Sequence, residues 1–126
     1  MMEQRILVVD DNAVNRKLIA VALKVAGYDV HAAADGEDAL ALVTTLHPSL
    51  IMMDIQLPGM DGLEVTRRLK ADPATRSIAI VAITAYAMVG DEQKARDAGC
   101  DGYMAKPIDT RRLPEMVAGY LGGGEP

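Results

Sequence analysis

Hydrophobic residues along this chain alternate between two patterns. Short continuous runs come first: Arg5-Ile6-Leu7-Val8-Val9, Leu50-Ile51-Met52-Met53 and Ile78-Ala79-Ile80-Val81-Ala82-Ile83. Runs of this length bounded by turn residues predict strands buried on both faces. Tyr28-Asp29-Val30-His31-Ala32-Ala33 alternates weakly and predicts a strand nearer an edge, and Gly102-Tyr103-Met104-Ala105-Lys106-Pro107 predicts a short last strand. Between the runs the apolar spacing is helical. Val14, Leu18, Val21 and Val25 mark the inward face of a first helix, which Asp11 or Asn12 caps and Gly27 ends. Asp35 caps a second helix with Leu40, Val43 and Leu46 or His47 inward, and Pro48 stops it. Asp61-Gly62-Leu63-Glu64 opens a third with Val65 and Leu69 inward, ended by Asp72-Pro73. Residues 91–98 form a fourth with a thin apolar face of Ala95, Ala98 and Met88, expected to be the most weakly packed. Leu113, Met116, Val117, Tyr120 and Leu121 mark the last, where Pro114 demands a later start or a kink.

Strand followed by helix, five times over, specifies an α/β fold: a doubly wound, five-stranded parallel sheet with right-handed crossovers. The expected strand order is 2-1-3-4-5, as in flavodoxin-like folds, with its switch point between the first and third strands. Residues 1–121 make one domain, and Gly122-Gly123-Gly124-Glu125-Pro126 a disordered tail.

Composition narrows the function classes. At 126 residues the chain buries a sizeable core without disulfide or metal. A net charge of −5 and scattered Lys and Arg argue against direct nucleic-acid binding. No apolar run approaches the length of a membrane span, and the single cysteine, Cys100, points to a reducing cytoplasm. Cys100 is expected to be a small buried hydrophobe, and His31 and His47 ordinary surface or half-buried groups.

The strand ends carry the chemistry. Asp10 and Asp11 close the first strand, Asp54 the third, Thr84 the fourth, and Lys106 the fifth. Open α/β sheets bind ligands at these carboxyl ends. Taken singly, Asp10 and Asp11 are helix caps, Asp54 a turn residue, Thr84 a β-former and Lys106 a solvated loop charge. Jointly they make a phosphoryl-transfer site. Three carboxylates repel one another unless a cation neutralises them, and hard oxygen ligands suit Mg²⁺. One carboxylate is then the nucleophile, while the lysine and the hydroxyl meet the phosphoryl oxygens.

These motifs resemble the receiver domain of two-component response regulators over essentially the whole chain. The segments that carry the likeness are Ile6 to Asn12, Met53 to Gly62, Ile83-Thr84-Ala85 and Lys106-Pro107. The resemblance implies that Asp54 is the phosphoacceptor and that Asp10 and Asp11 hold Mg²⁺ with it. It implies further that the Gln56 main-chain carbonyl is a metal ligand, that Thr84 and Tyr103 are a switch pair, and that the Lys106-Pro107 bond is cis. Gln56 and Tyr86 flank the acceptor and would tune hydrolysis of the acyl phosphate. The likeness is to stand-alone regulators of the CheY and DivK type. It implies a histidine kinase or histidine phosphotransferase as donor, and a protein target on the face of the fourth helix, last strand and last helix. Such a protein is not an enzyme beyond its own phosphorylation and dephosphorylation. Two alternatives are a Mg²⁺-dependent phosphatase with an aspartyl intermediate and the regulatory half of a DNA-binding regulator. The first usually needs an acid two residues after the nucleophile, where Gln56 stands; for the second no recognition helix is visible. A nucleotide-binding module ranks lower, because no glycine-rich loop follows the first strand.

Overall fold

The computed structural model describes residues 4–85 and 90–121. Five strands, β1 (Arg5–Val9), β2 (Asp29–Ala33), β3 (Leu50–Asp54), β4 (Ala79–Thr84) and β5 (Gly102–Ala105), alternate with five helices. The helices are α1 (Ala13–Val25), α2 (Gly36–Leu46), α3 (Gly62–Ala71), α4 (Asp91–Ala98) and α5 (Leu113–Leu121). All strand pairs are parallel, in the order β2-β1-β3-β4-β5. The fold is the doubly wound sheet that the alternation predicts.

Successive side chains of a strand point to opposite faces, and the core divides accordingly. Leu7, Val9, Ile51, Met53, Ile80 and Ala82 pack under α2, α3 and α4. Ile6, Val8, Leu50, Met52, Val81 and Ile83 pack under α1 and α5. Each central strand thus feeds two cores, which is why its sequence is continuously apolar.

Helix starts follow local chemistry. Asn12 Oδ1 accepts from the N–H groups of Val14 and Asn15, so Asn12 rather than Asp11 caps α1. Asp35 caps α2 through the N–H of Asp38, and Asp61 caps α3 through the N–H of Glu64. Pro114 falls in the first turn of α5, where an imino nitrogen costs no hydrogen bond, and the helix starts at Leu113. In α2, His47 turns away as a left-handed C-cap, φ 48°, and Val43 is the buried anchor.

The first helix departs from expectation. Val14, Leu18, Val21 and Val25 are exposed, at 66%, 54%, 49% and 83%, and Ile19 and Leu23 face the core instead. Two apolar stripes run along α1, and the more regular one is the outer. In α5, likewise, Leu113 and Val117 are buried but Met116 is not. Ala95 and Ala98 are the buried residues of α4, as its thin face predicts; Met88 and the 122–126 tail lie outside the described residues.

Candidate functional site

Parallel register brings distant carboxylates to one edge. Val9 stands beside Met53, so β1 and β3 end side by side. Asp10 follows Val9, and its N–H donates to Ala33 O at 3.2 Å. Asp54 is the last residue of β3, level with Ile83, and Thr84 follows on β4. The Lys106 N–H donates to Thr84 O at 2.7 Å, which anchors the segment leaving β5 at this edge. The Lys106-Pro107 bond is cis, as expected.

Asp10, Asp54 and Thr84 are buried, and Asp11 is exposed. One carboxylate oxygen each from Asp10, Asp11 and Asp54 can be chosen so that all lie within 4.8 Å of one another. Lys106 reaches two of them, Asp54 and Asp10. Its Nζ donates to Asp54 Oδ2 at 3.1 Å and lies 2.9 Å from Asp10 Oδ2. Asp54 Oδ1 accepts the N–H of Gln56 at 2.9 Å, and Asp10 Oδ1 accepts that of Asn12 at 2.8 Å. Asp10 Oδ2, though buried, has no well-aligned hydrogen-bond donor among the described residues; its neighbour is the Lys106 ammonium of the 2.9 Å ion pair.

Protonation equilibria register the crowding. Burial pushes the Asp54 carboxyl above the ordinary carboxylate range; the Gln56 N–H and Lys106 pull it back only in part, and Asp10 adds to the rise. Burial alone would lower the Lys106 ammonium, but the two carboxylates outweigh it and raise it. A group of hard oxygens, two of the three carboxylates buried, with one oxygen unaligned to any donor, fits a divalent cation of the Mg²⁺ kind.

Two further residues shape the site without having been candidate site residues in the sequence. A side chain at Gly62 would run into the Asp54 carbonyl oxygen, so only glycine lets α3 start against the end of β3. Arg16 Nη1 donates to the Asp10 carbonyl at 2.8 Å. Gly62 ends the Met53 to Gly62 motif, which does not say why glycine is needed there, and Arg16 has no periodic or motif signal. Tyr103 is half-buried on β5 against the α2–α4 core, while Tyr86 lies outside the described residues. Burial raises the Cys100 thiol pKa, and its Sγ lies 3.8 Å from Thr66 Oγ1, consistent with a packed, unreactive thiol. His31 lies 3.1 Å from Asp29 and His47 is exposed, and neither belongs to the carboxylate cluster.

The doubly wound sheet thus carries an acidic pocket suited to a divalent cation at its switch point. The family model of the response regulator receiver domain matches residues 6–118, and the chain belongs to that family. Among curated relatives, the polar-differentiation response regulator DivK of Brucella ovis is 44% identical over 121 residues, covering 96% of this chain and 98% of that protein. A CheY-like receiver domain protein from Methanospirillum hungatei superposes with a TM-score of 0.90 at 28% identity, over 98% of this chain and 97% of that one. The receiver domain of the sensor histidine kinase PA1611 of Pseudomonas aeruginosa is 36% identical with a TM-score of 0.87, covering 96% and 99%. That structure holds a magnesium ion in its active-site cleft. The protein is thus a response regulator of two-component signalling, and it resembles DivK.

Proposed function

We propose that Asp54 accepts a phosphoryl group from a phosphohistidine on a histidine kinase or histidine phosphotransferase. A carboxylate oxygen of Asp54 bonds to phosphorus, the P–N bond breaks, and the imidazole nitrogen keeps the electron pair. Asp10, Asp11, Asp54 and the main-chain carbonyl of Gln56 would hold Mg²⁺, which supplies charge neutralisation for the phosphoryl oxygens. Lys106, already within 3.1 Å of Asp54 Oδ2, turns from carboxylate to phosphoryl oxygen. The observation that carries this reading is the burial of Asp54 at the mouth of the carboxylate cluster with Lys106 upon it. Gln56 and Tyr86 would tune how fast water removes the group.

The acyl phosphate adds about −1.5 to −2 of charge at one point. The Thr84 hydroxyl meets it and Tyr103 follows inward. A full switch, from 1:99 to 99:1, needs about 5.5 kcal/mol of differential stabilisation. Tyr103, Ile108, Asp109, Arg112 and Met116 line a groove of about 380 Å³ on the α4–β5–α5 side, which we assign to the downstream protein. The outer stripe of α1, spaced 4-3-4 like a coiled-coil seam and flanked by Lys17 and Lys24, is the face for a helical donor with acidic flanks. We place the protein in the cytoplasm, as its unpaired, buried Cys100 suits; among the described residues no helix is long and apolar enough to cross a membrane. Its catalysis is confined to its own phosphorylation and dephosphorylation.

Intact-mass measurement after treatment with Mg²⁺ and a small acyl-phosphate donor tests the central step. Wild type gains one phosphoryl mass and Asp54→Asn gains none. A phosphorylated Asp54→Asn, or an unmodified wild type, overturns the assignment.

A further inference from the structure

Arg16 stands near the start of α1, at the positive end of the helix macrodipole, where a cation is electrostatically disfavoured. Its side chain nonetheless folds back over that end. Nη1 donates to the Asp10 carbonyl at 2.8 Å, and its own N–H donates to Asn12 O at 3.0 Å. Asn12 in turn donates its N–H to Asp10 Oδ1 at 2.8 Å and caps α1 with its side chain. Asp10 is therefore held at three points: N–H on Ala33 O, carbonyl under Arg16, Oδ1 under Asn12. The remaining atom, Oδ2, has no aligned donor among the described residues and faces the Lys106 ammonium at 2.9 Å. Asp11 lies between the two residues that Arg16 engages, so the same contacts fix the backbone that carries its carboxylate. Lys17 and Lys24, the other cations of α1, are exposed, whereas Arg16 is half-buried.

We propose that Arg16 is a positioning residue for divalent-cation binding: it locks the β1–α1 connection so that Asp10 and Asp11 present their carboxylates together. The inference rests on the reading of the carboxylate cluster as the cation site. Two effects of opposite sign separate it from simple electrostatics. Removing a positive charge beside three carboxylates, with the geometry unchanged, tightens cation binding. Releasing the connection weakens it. Loss of outer contacts that orient metal ligands typically costs 10–100-fold in affinity, and the neutralised charge offsets part of that.

The test is Mg²⁺ titration, followed by calorimetry or amide NMR shifts, of wild type, Arg16→Met, Arg16→Lys and Asp10→Asn, with metal-free melting temperatures beside each. Wild type binds, Asp10→Asn loses binding, Arg16→Met weakens by about 10-fold, toward the low end of that range because of the offset, and Arg16→Lys recovers part of the loss. A purely structural Arg16 would lower the melting temperature and leave the affinity of the folded protein unchanged, and that result overturns the proposal. Equal or tighter binding by Arg16→Met overturns it too. If Arg16→Met does not fold, Arg16→Gln decides: equal or tighter binding overturns the proposal, and weakened binding despite the lost positive charge upholds it. Wild type that binds no Mg²⁺ would instead overturn the cluster reading beneath it.

Discussion

Helices α1 and α3 carry comparable apolar spacing and use it in opposite ways. In α3 the expected positions Val65 and Leu69 are buried, and the other face is polar, with Glu64 pairing Arg67 at 3.3 Å and Arg68 at 3.1 Å. In α1 the expected positions face outward, while Ile19 and Leu23 hold the helix to the sheet. The difference is that α3 offers one apolar stripe and α1 offers two. Periodicity shows that a helix is amphipathic, but with two stripes it cannot say which one the sheet takes. The leftover stripe of α1 is then available to another molecule.

Substitutions can break or sharpen this contrast. The largest effect is expected at the inner positions: Leu23→Ala and Leu69→Ala should each cost about 2–5 kcal/mol in urea unfolding, from lost burial and a residual cavity. Leu18→Ala, one stripe over, should stay within about 0.5 kcal/mol; an equal loss would show that the outer stripe is structural. Next come the caps. Asn12→Ala and Asp61→Ala should each cost about 1 kcal/mol by the same measurement, and Asn12→Ala should also weaken Mg²⁺ binding, because its N–H position sets Asp10 Oδ1. A third pair separates docking from chemistry. Leu18→Ser with Val21→Ser should slow phosphotransfer from a phosphohistidine partner, while the rate with a small acyl-phosphate donor stays unchanged. Glu64→Gln, which removes exposed ion pairs, should cost only a few tenths of a kcal/mol.

The smallest effect concerns pH at the end of β3. A carboxyl whose folded pKa is raised stabilises the fold below its unfolded pKa and loses that contribution as pH rises through the folded value. Burial raises Asp54 in this way. Metal-free Asp54→Asn should therefore gain on wild type as pH rises toward neutrality, and the gap should close toward pH 4, near the ordinary Asp pKa of about 3.9. Denaturant unfolding of both proteins across that range checks the sign. A gap that widens on acidification would mean that the Lys106 pairing, rather than burial, dominates.

Much of the architecture and the site was legible before any coordinates. The apolar runs ending in Asp10, Asp54 and Thr84 located the working edge, because a buried strand that terminates in a polar group must bring that group to the sheet's rim. Caps at Asp35 and Asp61 were legible because a side chain two or three residues from an orphan N–H is a local matter. Alternation and handedness called for a doubly wound parallel sheet, and the order 2-1-3-4-5 was the flavodoxin-like precedent for five strands, which the structure bears out. What stayed hidden involves contacts between residues with no sequence relation. Gly62 is required by the close approach of α3 to the Asp54 carbonyl. Arg16 matters through a single bond to a main-chain oxygen, which any residue could offer. The burial that raises Asp54 and the Lys106 ammonium between two carboxylates depend on three strand ends meeting.

The sequence by itself determined the elements, the parallel sheet and the identities of the charged residues at its edge, since each follows from local periodicity or from rules of chain connection. Only the tertiary structure decided which stripe of α1 is buried, which oxygens of Asp10 and Asp54 are occupied, and that Arg16 reaches back to the strand. Those outcomes depend on how surfaces from distant segments compete for the same space, and local spacing does not encode that competition.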